Sequence, residues 1–355
     1  MPDRENEKVI ASFEVHVDGT RIPAEAEVDL FLLEVAESVE EIGMFTLSLN
    51  AGDPHSGGIK WVDTDLFREG NEVKIKVGFH APLAELMVGE ITSLEPDFPA
   101  AGPITLIVRG FDRLYRLGFG RKTRSFRNMK DSDIAAQIAQ DRGLTADAEQ
   151  STATHPYLLQ NNQTDIEFLS ERARQLRYEI KVEGKTLLFR KPRETQNKAV
   201  TLTYGAGLLS FAPRTSLAGQ TSEVVVQAWD PKDKKAIQGR AADGDEASKM
   251  GGRETGPALA GRVAGASPMV VVADPATTPE EAEEIAKGRF NAVAFSFVEA
   301  DGSCMGEPLV RAGSVVEIAE LGQRFSGLYY VTSCLHSVSG RSGYVTNFSA
   351  RRSAT

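Results

Sequence analysis

The sequence predicts a β-rich α+β protein. Two related antiparallel β-barrel, tube-like domains flank an inserted small α+β domain, and a helical insertion splits the second barrel. Three observations predict this. The first is a strand pattern that occurs twice. Val73-Lys-Ile75-Lys-Val77 alternates and is followed by Leu86–Leu94 and Ile104–Arg109; Val315–Ile318 is followed by Leu328–Leu335 and Tyr344–Phe348. Ile91 to Val108 and Val331 to Phe348 both span 17 positions, while Val73 to Ile91 spans 18 and Val316 to Val331 spans 15. Two such units at opposite ends predict duplication; two unrelated meanders would give similar spacing, so spacing alone leaves both open. The second observation is helical periodicity confined to the middle of the chain. The third is the length, 355 residues, which is enough for two or three domains with their own cores.

Residues 9–112 read as strands in order. Val9–Val17 alternates, Asp18-Gly19 is a hairpin turn, and Val28–Val35 and Met44–Leu49 continue the pattern. After Tyr115 the period changes. Asp131-Ser132-Asp133 caps a short helix with Ile134 and Ile138 on one face and Gly143 at its end. Thr164-Asp-Ile-Glu167 is a capping box that opens a second helix, with Ile166, Leu169, Ala173 and Leu176 as its apolar stripe. A hairpin at 177–190 closes on it. Strands return at Val200–Tyr204 and Ser222–Trp229. Residues 231–268 read as a mobile linker or surface loop, and Thr278-Pro279-Glu-Glu281 opens a third helix. The expected domains are a first barrel over 1–120, the α+β unit over 121–199, a split second barrel over 200–240 and 296–355, and a linker and helix over 241–295.

Forty Lys and Arg against 50 Asp and Glu give a net charge of −10, a surface that repels nucleic acid. No apolar run reaches the ~18–20 residues that span a bilayer, and the charged Met1–Lys8 lacks the apolar stretch of a secretory signal. Cys304 and Cys334 are expected as buried free thiols in a reducing compartment.

Motifs for catalysis are weak. Gly184-Lys185-Thr186 lacks the upstream glycine of a phosphate loop and reads as a hairpin turn. Gly118-Phe-Gly120 lacks the third glycine of a dinucleotide fingerprint. His16, His55, His80, His155 and His336 are scattered without metal-ligand spacing. His336 follows Cys334 by two, so a strand puts both on one face; a Cys–His enzyme is one reading and a structural histidine the default. Met129–Leu144 is loosely like half of a peptidoglycan-binding repeat. Eight cations fall in the 22 positions from Arg109 to Lys130. Arg113, Arg116, Arg121 and Arg124 among them are expected at a domain or subunit junction, paired with the acidic surplus.

Three stretches carry a family resemblance. They are Arg124–Leu144, Tyr157–Tyr178, and a C-terminal set running from Gly306 through Gly313, Phe325, Gly327, Tyr329 and His336 to Gly343 and Tyr344. With the order barrel, α+β unit, split barrel, the chain resembles the phage late control D family, the hubs of contractile-tail baseplates, and the N-terminal hub part of VgrG spike proteins. The resemblance implies a non-enzymatic homotrimer without cofactors or bound metal. Its two barrels per chain would form a pseudo-six-fold ring joining a hexameric tail tube to a trimeric spike. The implied partners are the tail tube protein, a spike protein and other baseplate components, with assembly into a phage tail or injection particle from the bacterial cytoplasm. Only seven residues follow Phe348, so the spike is expected on a separate polypeptide. Gly313, Phe325, Gly327, Tyr329, His336, Gly343 and Tyr344 are expected as structural motif residues.

Overall fold

The structure, a computed structural model, describes residues 11–53, 57–230, 233–266, 268–272 and 276–355. His55 and the first two residues of the expected Val9–Val17 strand lie outside them.

The first barrel is built from β1 (Ser12–Val17), β2 (Thr20–Arg21), α1 (Ala24–Asp29), β3 (Leu30–Ser38), β4 (Met44–Asn50), β5 (Glu72–Gly78), β6 (Ala84–Asp97) and β7 (Thr105–Asp112). Its sheet order is β1-β5-β6-β7-β4-β3, all antiparallel. Alternation does what the pleat requires: Val73, Ile75 and Val77 are fully buried while the lysines between them face out. Asp18 and Gly19 take positive φ in the predicted turn. Val28, expected in a strand, lies in α1, which carries Ala26 into the barrel core.

The α+β unit follows as β8 (Lys122–Phe126), β9 (Met129–Lys130), α2 (Asp131–Asp141), β10 (Thr145–Ala148), β11 (Thr154–His155), β12 (Leu158–Gln163), α3 (Asp165–Leu176), β13 (Glu179–Glu183) and β14 (Thr186–Arg190). The Thr164 hydroxyl accepts from Glu167 N at 3.2 Å and the Glu167 carboxylate from Thr164 N at 3.0 Å, so the capping box forms as read. Phe168, Leu169, Ala173 and Leu176 are the buried stripe, with Ile166 half-buried at its edge. Three strands separate α2 from α3, so the consecutive helix pair of the peptidoglycan-binding repeat is not formed.

The second barrel begins with β15 (Val200–Tyr204) and β16 (Gly207–Thr215). An insertion then intervenes: β17 (Glu223–Asp230), β18 (Lys235–Ala242), α4 (Gly256–Ala264), β19 (Pro268–Val271) and α5 (Pro279–Phe295). The barrel resumes with β20 (Val298–Met305), β21 (Val315–Ala319), α6 (Gly322–Phe325), β22 (Gly327–Ser339) and β23 (Gly343–Arg352). Its order is β15-β21-β22-β23-β20-β16, and β16 returns to β15, closing six strands. The closure consists of two rungs, Thr203–Gly207 and Tyr204–Leu208, so β16 beyond Leu208 is paired on its β20 side alone among the described residues.

This corrects the expected limits of the second barrel. Its first piece stops at β16; β17 and β18 pair with each other and with β19 in a separate sheet. The physical reason is that β15 and β16 already complete the barrel. The Val224-Val225-Val226 run, buried on both faces, suits the middle of a sheet roofed by a helix. Residues 233–266, read as part of a mobile linker, contain β18 and α4. Gly239 is where α5 touches this sheet: a Cβ there would lie 2.1 Å from the Ala282 backbone.

Candidate functional site

The structural signal of function is the relation between the two barrels and the seam that joins them. With the two-residue β2, which pairs only with β1, left out, and the remaining six strands numbered within each barrel, the strand order is 1-4-5-6-3-2 in both. The registers agree as well. On β6 and β7, Ile91 faces Gly110 and Ser93 faces Arg109; on β22 and β23, Val331 faces Ala350 and Ser333 faces Ser349. One constant offset in numbering relates all four pairs, and the bulge falls at Thr92 in one and Thr332 in the other. On β3 and β4 a second bulge lies between Leu30 and Leu32; on β16 and β20 it lies between Leu208 and Ser210. The bulged residues, Phe31 and Leu209, are exposed apolar side chains in both barrels. The one difference of direction is the first strand: β1 runs antiparallel to β5, whereas β15 runs parallel to β21.

The barrels join where β3 pairs antiparallel with β22, Ser38 opposite Ser333 through Leu32 opposite Ser339. The far end of the β22–β23 hairpin then enters the first barrel, where Val338 and Tyr344 belong to its core and the Tyr344 ring lies 5.7 Å from Phe79. The motif residues support this hairpin. Buried His336 meets the Tyr344 hydroxyl at 2.8 Å and the Thr346 hydroxyl at 3.1 Å through Nδ1. Gly343 makes the turn with φ 69°. The Tyr329 hydroxyl donates to the Phe325 carbonyl at 2.8 Å, and Arg352, fully buried, lies over the Tyr329 ring. Gly327, at φ 129°, holds a backbone conformation that side chains disfavour, and a Cβ there would also have to displace the Arg352 guanidinium 2.8 Å away. Gly313, at φ 85°, donates its N–H to Val331 at 2.9 Å.

Charges fasten the seam. Glu37 on β3 pairs with Arg311 from the second barrel and lies 3.7 Å from Lys181 of the α+β unit. Burial alone would raise the Glu37 pKa, but the Arg311 hydrogen bonds and the Lys181 charge hold it down at about 2. This three-unit junction was missed in the sequence, where nothing singled out Glu37 among the 50 Asp and Glu.

The four predicted junction arginines divide. Arg113 donates to the Gly184 carbonyl at 2.9 Å and pairs with Glu72 and Glu90, tying the first barrel to the α+β hairpin. Arg116 joins it on Glu90. Arg121 and Arg124 stay inside the α+β unit, on Glu167 at 2.8 Å and on Asp141 and Asp165 at 2.7 and 2.9 Å. A second buried network was also missed. Asp131, read only as a helix cap, takes Arg172 at 2.6 Å and His155 at 2.8 Å; His155 reaches Glu281 of α5 at 3.4 Å.

The Cys–His reading fails on chemistry. Cys334 Sγ is 3.6 Å from His336 Nε2. Burial pushes the thiol up to about 12 and the imidazole down to about 4, so the thiolate–imidazolium pair of a nucleophile is strongly disfavoured. Cys304 and Cys334 are both buried and free. Among the described residues no group of His, Cys, Asp and Glu is placed to hold a metal, and no helix is long and apolar enough to cross a membrane.

Comparison with known proteins places this architecture. The 43 kDa tail protein of prophage MuSo2 from Shewanella oneidensis shares 16% identity at TM-score 0.70, covering 96% of this chain and 98% of that one. A tail protein of Neisseria meningitidis MC58 shares 13% at TM-score 0.69, covering 96% of each chain. The E. coli c3393 protein, described as a component of the type VI secretion system, shares 12% at TM-score 0.61, covering 96% of this chain and 77% of that one. At these identities the likeness is one of fold, and the fold is the one that the motif residues implied. No curated protein matches the chain. The family model described as the Alg8 N-terminal domain matches residues 7–340. Because that match runs through both barrels and the units between them, the chain belongs to the Alg8 N-terminal domain family.

Proposed function

We propose that this chain is a structural, non-enzymatic baseplate hub of a contractile tail or injection particle. Three copies form a ring that joins a hexameric tail tube to a trimeric spike and makes part of the central channel. The observation that carries this reading is the duplication in strand order, register and both bulges. Three chains with two kindred barrels each offer six similar faces, which is what a six-fold partner needs from a three-fold ring. Phe31 and Leu209 stand exposed on equivalent bulges, so such a ring repeats one apolar contact six times. The tail proteins among the solved structures support the same role. The sheet face around Asp301, Ser303, Ser333 and Ser349 is polar and built from small side chains, suited to a channel wall. With a net charge of −10 per chain, the ring would let nucleic acid pass without stable binding.

The partners are the tail tube protein, the spike and other baseplate components, with no membrane insertion by this chain. The division of labour follows the separate cores: barrels for the ring, the α+β unit and the α5 layer as outer supports. Gold-labelled antibody on purified particles tests this. Label is expected at one end of the tube, beside the spike. Label along the whole tube, or none on particles, would contradict it.

A further inference from the structure

Applying the barrel equivalence to the β3–β22 seam exposes two unused edges. The half of β22 that binds β3 corresponds to the half of β6 that begins at Ser93. The half of β3 that binds β22 corresponds to β16 from Ser210 onward. Among the described residues, β6 beyond Ile91 pairs only with β7, and β16 beyond Leu208 only with β20. Both edges are open to solvent: Glu95, Pro96 and Asp97 are exposed, and so is Arg214. Among the described residues, each chain therefore holds one free edge of each kind.

We propose that β6 of one copy pairs antiparallel with β16 of the next, repeating between chains the seam that β3 and β22 make within one. The proposal rests on the ring reading above and names its contact. The register carries over directly. The rung Ala36–Leu335 becomes Arg214–Glu95, so a neutral rung inside the chain becomes an opposite-charge rung between chains. Glu95 already lies 3.0 Å from Arg109, and Arg214 lies 2.6 Å from Glu299. Across the seam the signs alternate: Arg109, Glu95, Arg214 of the next copy, Glu299 of the next copy.

The prolines fit the same register. Val39 N donates to the Thr332 carbonyl at 2.9 Å, which makes Val35–His336 one of the bonded rungs. Its counterpart is Pro213–Pro96. The two missing donors therefore share one rung, and the ladder is interrupted once rather than twice. Until the edges meet, an outward-facing proline on each blocks pairing with an arbitrary strand.

The test is the full chain carrying Glu95→Cys and Arg214→Cys together. This rung is a non-bonded one, where Cα atoms lie ~4.5 Å apart and side chains are close, within the range of a disulfide. Mild oxidation is expected to give reducible bands of two and three chains, with neither single variant cross-linking. Glu95→Arg and Arg214→Glu are each expected to weaken association at least about tenfold, and the double swap to recover it. If sedimentation finds three copies but the double-cysteine chain does not cross-link, this seam is wrong and the ring reading stands. If no three-chain species forms by either measure, both fail. Equal cross-linking by one single variant would mean a symmetric contact and overturn the seam.

Discussion

Glu37 makes the case for individual side chains. It is 6% exposed and ionised only because Arg311 and Lys181 surround it. Arg311→Ala is expected to cost about 3–5 kcal/mol in urea denaturation, the range for stranding one member of a buried pair. A loss under 1 kcal/mol would remove the junction from the account. His336 gives a pH signature. Burial, with the Arg311 charge beside it, lowers its pKa from 6.5 to about 4. Its stabilisation is complete above 6.5 and lost as pH falls through 4, a span of about 3 kcal/mol. Asp112 acts in the opposite sense: burial raises it from 3.8 to about 6, so its contribution is complete below 3.8 and lost as pH rises through 6. The two slopes oppose each other in the wild type. The stability of wild type minus His336→Gln, read from urea midpoints, is expected to fall by about 3 kcal/mol from pH 7 to pH 4. A difference that does not change with pH would contradict the assignment. The Cys–His spacing was visible in the sequence because strand period is local, whereas Gly313 and Gly343 were singled out through the family resemblance. The partners of Glu37 and Asp131 were not, since Arg311 and Arg172 reach them only through the tertiary fold.

Among the elements, the β6–β7 and β22–β23 hairpins show how a duplication survives divergence. Phe45 and Gly110 share a rung in the first barrel; Ala300 and Ala350 share the equivalent rung in the second. A Cβ on Gly110 would lie 2.3 Å from the Phe45 ring and 2.2 Å from the Glu90 carbonyl. Volume has moved across the rung while the register held. Gly110→Ala is therefore expected to destabilise by about 3 kcal/mol or more, and Ala350→Gly by only about 1 kcal/mol. Similar losses at both positions would argue against equivalent packing. Gly239 makes a separate prediction. Gly239→Ala pushes α5 off its sheet, so amide exchange is expected to quicken across 279–295 while the barrel strands stay protected. Uniform quickening would mean that the insertion and barrels unfold as one. Strands, helix caps and the hairpin offset were legible because period and capping are local. The assignment of β17 and β18 was not. Nothing in an alternating run says which sheet will accept it, and here closure of the second barrel decided that.

At the scale of the whole molecule, symmetry is the organising relation. Two barrels with one strand order and matching bulges are joined by a seam whose counterparts lie open at β6 and β16. In the proposed ring, the small polar face beside that seam and the apolar bulge residues Phe31 and Leu209 would be repeated around the axis. The spacing from Val73 to Val108 and from Val316 to Phe348 suggested the duplication but left two unrelated meanders open; the shared strand order and register decide it. The free edges were not, because edge status depends on what every other strand does. The most direct test is the mass of the assembled protein in solution by sedimentation equilibrium, across a wide concentration range and with the tube and spike partners added. The account predicts a species of three times 38.5 kDa, or three copies per particle complex. A chain that stays single, or stops at two, under all of these conditions would contradict it.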